Sequence, residues 1–152
     1  MNPKKVVSFT DELFFLSNFY PCDVLYDGVL YPSVEHAYQA AKTLDMQERV
    51  KIRNQTTPGQ AKREGQRVVL RPGWEMSKVD VMRQLLMIKF VANPKLGKQL
   101  LSTSHEELVE VNNWHDNFWG DCQCSKCKKV IGRNMLGLSL RTVRVQLLNL
   151  EE

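Results

Sequence analysis

Short β-prone runs and helix-period stretches alternate along this chain. Residues 23–31, Asp-Val-Leu-Tyr-Asp-Gly-Val-Leu-Tyr, set an Asp-Gly pair between two such runs, a pattern that predicts a β-hairpin. Pro32-Ser33 then opens a stretch free of Gly and Pro to about Thr43, read as a helix capped by Ser33. A second helix is expected from Thr57-Pro58, with Thr57 as N-cap, to about Glu64 ahead of Gly65. The longest helical pattern covers residues 75–92, where Val79, Met82, Leu86 and Phe90 recur every three to four positions, the mark of a central core helix. Asn93-Pro94 stops it, and residues 94–101 read as a further short helix. Residues 108–111 read as a short strand. Residues 134 to about 148 read as a final amphipathic helix of imperfect period, through Met135, Leu138, Val143, Val145 and Leu147. The sum is an α+β fold: a single compact helix-rich domain around a small β-sheet.

Length and composition agree with that architecture. With 152 residues, 43% apolar and 25% charged, the whole of residues 1–152 reads as one domain with one core, without repeats or linkers. No run approaches the roughly 20 apolar residues that cross a bilayer. The start, Met-Asn-Pro-Lys-Lys-Val-Val-Ser-Phe-Thr, has lysines but no apolar signal core after them, so a cytoplasmic protein without a membrane partner is expected. The net charge of +4 is unevenly distributed. Lys126, Lys128, Lys129, Arg133, Arg141 and Arg144 lie between Cys122 and Gln146 with no acidic residue among them, either as solvated faces or as a surface for phosphates and nucleic acid.

Candidate chemistry concentrates in two places. Glu35, Gln39 and Lys42 are spaced i, i+4, i+7 and share one helix face. Such a stripe is often an ordinary solvated face, but the neighbours Ala37, Tyr38, Ala40 and Ala41 suit a helix packed on several sides, which would bury Glu35 in part. A partly buried carboxylate beside a cation suits cleavage of an N-glycosidic bond, because C1′ gains positive charge as the base departs. The second place is the stretch 112–121, Asn-Asn-Trp-His-Asp-Asn-Phe-Trp-Gly-Asp, in which turn formers are mixed with aromatic and ionisable groups as in a functional loop. Asp121 supplies a second carboxylate there, and Trp119 or Trp74 could stack on a base. On pattern alone Trp74 reads equally as a core residue, and His36 and His115 read as hydrogen-bonded structural residues. Of the four cysteines, Cys122, Cys124 and Cys127 form a C-x-C-x-x-C run, and free thiols or metal ligands are the readings suited to a reducing compartment. Reduced, unliganded thiols are the favoured reading; thiolates also suit tetrahedral zinc, and Cys22 is then the candidate fourth ligand of a structural site, if the fold brings it close.

These residues together resemble the YbiA/NADAR family. The blocks are Leu16-Ser17-Asn18-Phe19, the segment from Pro32 to Lys42 with its Ser-x-Glu-His-x-x-Gln-Ala-x-Lys pattern, Trp74, Trp119-Gly120-Asp121 and Asn134-Met135-Leu136-Gly137. They occur in the expected order over nearly the whole chain. The resemblance implies a compact α+β domain that hydrolyses N-glycosidic bonds; some members act on phosphoribosyl-amine intermediates of riboflavin synthesis, others remove ADP-ribose from guanine in nucleic acid. It assigns catalytic positions to Glu35, Asp121 and Trp74, puts Lys42 towards the phosphate or ribose, and places Asn18, Phe19, Trp119, Gly120 and Asn134 along the substrate pocket. In the mechanism this implies, Glu35 stabilises an oxocarbenium and orients water, Asp121 assists, and Trp74 stacks on the departing base. No cofactor is required. The cysteine run departs from the riboflavin-linked bacterial pattern, where the stretch after Trp-Gly-Asp is glycine-rich and lacks thiols. Together with the basic C-terminal segment, that departure favours ADP-ribosylated nucleic acid as partner over a phosphoribosylated small molecule. The competing classes are a non-catalytic ADP-ribose or nucleotide reader, and a nucleic-acid binder using the Cys/Lys/Arg segment as a knuckle.

Overall fold

The computed structural model describes residues 8–151, so the reading of the lysine-bearing start of the chain falls largely outside the described residues. The fold is helix-rich α+β, with its strands in two separate two-stranded pairs. Backbone contacts group the chain into two compact units: one is Asn18–Asn93, and the other joins the described residues up to Ser17 with those from Pro94 onward. No helix is long and apolar enough to cross a membrane among the described residues.

The unit Asn18–Asn93 opens with the hairpin of β1 (Val24–Tyr26) and β2 (Val29–Tyr31), paired antiparallel with Val24 opposite Tyr31. Asp27 and Gly28 both take positive φ, 48° and 75°, as a two-residue turn matched to the strand twist requires. Helix α1 (Val34–Ala41) follows, with the Ser33 hydroxyl accepting from the His36 N–H as N-cap. All eight of its residues are buried, because small alanines let α2, α3, α4 and the hairpin close on it from every side. Within this unit α1 is the helix enclosed by the others, and the longer α4 is one of the helices packed on it.

Helix α2 (Met46–Arg53) has no counterpart in the sequence reading, since only Arg49 and Ile52 are buried and no apolar stripe marks it. Its signal was Asp45, which accepts from the N–H groups of Gln47 and Glu48 at the N-terminus. Helix α3 (Pro58–Gly65) begins with the reciprocal Thr57/Gln60 capping box. Helix α4 (Trp74–Ala92) buries Met82, Leu86 and Phe90 as expected, but Val81 and Leu85 replace Val79 on the covered face, and Lys89 is buried with them.

The other unit comprises a 3₁₀ turn (Asp11–Leu16), α5 (Pro94–Ser102), the parallel pair β3 (Val111–Asn112) and β4 (Asp121–Cys122), and α6 (Met135–Glu151), with α5 packed on α6. The stripe of α6 that packs inward is Leu136, Leu140, Val143 and Leu147, whereas Leu138 and Val145 face outward and Met135 is half-buried. The expected strand over 108–111 shrinks to β3 because a side chain takes the place of a neighbouring strand. Asn134 Oδ1 accepts from the Glu110 N–H (3.0 Å) and Asn134 Nδ2 donates to the Leu108 carbonyl (2.8 Å).

Candidate active site

The first cluster is built on α1. Glu35 is only 7% exposed and accepts a 2.7 Å hydrogen bond from Gln39 Nε2, one helical turn on. Its backbone N–H donates to the Asn18 carbonyl (3.0 Å), which fixes Asn18 beside it. Asn18 Nδ2 lies 3.6 Å from Met82 Sδ, a weak acceptor. Asn18 Oδ1 and Gln39 Oε1 are buried without a hydrogen-bond partner, two of three such side-chain atoms found among the described residues. In native proteins such orphaned groups are few and call for a reason.

Lys42 caps the C-terminus of α1, with its ammonium 5.7 Å from the centre of the Tyr38 ring. Burial pushes the Lys42 pKa down, and the negative charge of Glu35 partly offsets that shift. Arg71 ties the end of α1 to the segment before α4, through its N–H to the Lys42 carbonyl (2.7 Å) and its guanidinium to the Ala41 carbonyl (3.3 Å). This tie sets Trp74 against Tyr38, ring centres 5.3 Å apart and tilted by 51°. Trp74 is 4% exposed and has the packing of a core ring, whereas Phe19 is 38% exposed. His36 is fully engaged: its Nδ1 pairs with the Ser33 hydroxyl (2.7 Å) and its Nε2 with the Gln55 carbonyl (3.0 Å). Since that carbonyl can only accept, Nε2 carries the proton, and burial holds the ring pKa below its ordinary value. His36 is hydrogen-bonded at both ring nitrogens, as expected from the sequence.

The second cluster lies in the other unit and is shaped by polar side chains bonded to loop backbone. Asp116 Oδ1 accepts from the N–H groups of Phe118 (3.1 Å) and Trp119 (2.9 Å), and Asn117 Oδ1 accepts from the Cys122 N–H (2.9 Å). Trp119 is half-buried, edge-on to Phe118 with ring centres 4.9 Å apart. At Gly120 any Cβ would collide with the Glu110 carbonyl and the Asn112 amide, so this position admits only glycine. Asp121 has both carboxylate oxygens engaged: Oδ1 accepts from the Gly132 N–H (2.9 Å) and Oδ2 from Gln123 Nε2 (3.0 Å). The side-chain amide of Asn134 is taken up by the 108–110 backbone.

The cysteine run folds so that His115, Cys122, Cys124 and Cys127 present their donor atoms within 4.8 Å of one another. His115 therefore supplies the fourth member that the sequence reading gave to Cys22. Cys22 belongs to the Asn18–Asn93 unit, close enough to Lys89 for the two charges to interact. A groove of about 760 Å³ in the unit that carries α5 and α6 includes only Asn134 among the expected site residues, with neither Glu35 nor Asp121 in its lining.

Lys89 is the residue that pattern reading missed. It is fully buried on α4, 5.5 Å from the centre of the Tyr20 ring, and burial lowers its pKa to about 8. The signal was a lysine at helical spacing from Met82 and Leu86 within an apolar face.

A carboxylate held by an amide, two acceptors without donors and a nearby ammonium are thus grouped on and around α1. The chain belongs to the NADAR family, whose domain model matches residues 7–148. It is 37% identical over 142 residues to the N-glycosidase YbiA of Escherichia coli, covering 92% of this chain and 85% of that protein. It is 40% identical over 136 residues to a riboflavin biosynthesis protein of Vibrio vulnificus, covering 88% of this chain but only 35% of that protein's length. An N-glycosidase of Nostoc punctiforme is 34% identical over 139 residues, 88% of this chain and 85% of its own length. The NMR structure of Escherichia coli YbiA superposes with a TM-score of 0.82 at 34% identity, over 99% of this chain and 89% of that one. N-glycosidases are hydrolases, so the relatives bearing that name are enzymes.

Proposed function

We propose that this chain is an N-glycosidase that hydrolyses the bond between ribose C1′ and a base nitrogen in phosphate-bearing substrates, with ADP-ribose attached to guanine in nucleic acid as the favoured one. The observation that carries this reading is the buried Glu35–Gln39 pair, flanked by the unpartnered oxygens of Asn18 and Gln39. As the base departs, C1′ gains positive charge, and a carboxylate removed from water opposes that charge far better than an exposed one. Asn18 Oδ1 accepts from a ribose hydroxyl, which would satisfy it. Water adds to C1′, the bond to the base nitrogen breaks, and the water's proton passes to a carboxylate while the leaving nitrogen is protonated. Lys42 pairs with the phosphate or supplies the leaving group's proton, a task its lowered pKa favours. Asp121 assists in positioning water. Trp74 holds Tyr38 at the site, and the more accessible rings of Phe19 and Trp119 are the surfaces for stacking on a base.

The preference for nucleic acid rests on exposed Lys126, Lys128, Lys129, Arg133 and Arg141. Arg144 leaves that set, being buried and bonded to the Thr103 hydroxyl (2.7 Å) and the Glu106 carbonyl (3.1 Å). A second reading, hydrolysis of phosphoribosylated pyrimidine intermediates, draws on the riboflavin-related names of the Vibrio vulnificus protein and of a maize relative. Either chemistry is placed in the cytoplasm and proceeds without a cofactor. The test is mass spectrometry of an ADP-ribosylated guanine oligonucleotide treated with wild type or Glu35→Gln. Release of ADP-ribose by wild type alone supports the favoured reading. Turnover only of the pyrimidine intermediates supports the second, and inactivity on both points to a non-catalytic reader.

A further inference from the structure

We propose that His115, Cys122, Cys124 and Cys127 form a closed, structural zinc site that fastens the loop following Asp121. Three thiols and one imidazole offer one donor atom each, all within 4.8 Å of one another. His115 Nδ1 lies 3.2 Å from Cys124 Sγ and 3.5 Å from Cys127 Sγ. A tetrahedral zinc with Zn–S of about 2.3 Å and Zn–N of about 2.0 Å separates its ligand atoms by roughly 3.5 to 3.8 Å, so small side-chain adjustments complete the coordination sphere. Convergence of four donors also distinguishes a metal site from a disulfide, which would engage only two of the sulfurs.

The backbone is arranged around the sulfurs. The His115 N–H donates to Cys122 Sγ (3.3 Å), the kind of outer contact that orients a thiolate ligand. His115 itself adopts φ 69°, a conformation uncommon outside glycine, which persists where the surroundings over-determine it. Cys124 and Cys127 are brought together by the Cys127 N–H bonding to the Cys124 carbonyl (3.1 Å). Soft thiolates with one imidazole select zinc over magnesium or calcium, and four protein ligands leave no open position for a reacting water. The metal therefore has no part in the proposed hydrolysis. It compensates for the lack of a core between residues 123 and 133, where no residue is fully buried, and holds Lys126, Lys128 and Lys129 outward on a fixed loop.

Metal content, cobalt spectroscopy and thiol titration of the whole protein, purified under reducing conditions without chelator, test the site independently of any activity. One zinc per chain is expected by elemental analysis. Replacement by cobalt should give thiolate-to-metal charge-transfer bands and the intense ligand-field absorption of a tetrahedral site. Cys22→Ser should retain the zinc, whereas Cys124→Ser/Cys127→Ser should lose it, and chelator should expose three further reactive thiols in wild type. Absence of zinc with no cobalt uptake by the reduced wild type, a disulfide within the run in reduced preparations, or loss of zinc on Cys22→Ser would each overturn the proposal. Because the cobalt titration is read on wild type, the result does not depend on the double variant folding.

Discussion

Gln39 donates to Glu35 Oε1 at 2.7 Å while its own side-chain oxygen occupies the volume that a Cβ on Gly65 would need. A glycine near the end of α3 thus makes room for the amide that holds the proposed catalytic carboxylate. Helix propensity alone would make Gly65→Ala stabilising by about 1 kcal/mol. The collision with the Gln39 amide reverses the sign, since forcing extra volume into a packed interior costs about 1–3 kcal/mol. Chemical denaturation should show net destabilisation, and turnover of the substrate identified for wild type should fall with it. A more stable and fully active variant would mean that Gln39 has room to move and does not fix Glu35.

Glu35→Gln preserves shape and removes charge. If the carboxylate opposes a developing cation, kcat should fall about 10²- to 10³-fold, the usual loss when one transition-state electrostatic contact is removed. Binding of ADP-ribose should persist, because the Asn18 acceptor and the Lys42 ammonium remain. Calorimetric titration alongside single-turnover kinetics separates these effects, and an unchanged kcat would remove Glu35 from the chemistry.

Lys89 should make the protein's stability depend on pH. Burial lowers its pKa from 10.5 to about 8, so between those values the unfolded chain carries a proton that the folded chain has released. Stability from this group rises with pH across that window; it is complete above about 10.5 and lost as pH falls through about 8. The stability of wild type relative to Lys89→Met, similar in volume and uncharged, should therefore rise by up to roughly 3 kcal/mol between pH 7 and pH 10. Urea denaturation at both pH values checks this, and a gap that does not vary with pH would contradict the assigned shift.

The elements that sequence pattern located well are those whose boundaries are local chemistry. The Asp27-Gly28 turn, the Ser33 cap and the Thr57-Pro58 helix start each depend on residues adjacent in the chain. What it missed depends on partners distant in sequence. Helix α2 is held by Arg49, whose guanidinium reaches Asp27 (2.9 Å) and the Thr43 carbonyl (2.8 Å), and no hydrophobic period announces such a contact. The inward face of α6 was displaced because Gly137 and Ser139, which a periodicity count ignores, pack inward where Leu138 and Val145 do not. At the site, Glu35, Gln39 and Lys42 were legible as one face of one helix. The grouping of His115 with three cysteines was not, because it requires the loop to reverse between β3 and β4. Lys89 broke an apolar stripe, and that break was the available clue.

Asp121 stands where two roles compete, and two substitutions divide them. Its Oδ1 accepts from the Gly132 N–H and its Oδ2 from Gln123 Nε2, bonds that close the loop whatever the chemistry. Asp121→Asn keeps one acceptor for the Gly132 N–H but loses the charge, whereas Asp121→Ala strands that half-buried donor at a cost of about 1–3 kcal/mol. If Asp121 positions or deprotonates water, Asp121→Asn should lower kcat about 10²-fold with little change in melting temperature, and Asp121→Ala should lose both activity and stability. If Asp121 only fastens the loop, Asp121→Asn should remain nearly as active as wild type, and activity should follow stability across the pair. Melting curves and single-turnover rates on the same preparations distinguish the two outcomes, because only a catalytic carboxylate separates rate from stability in the asparagine variant.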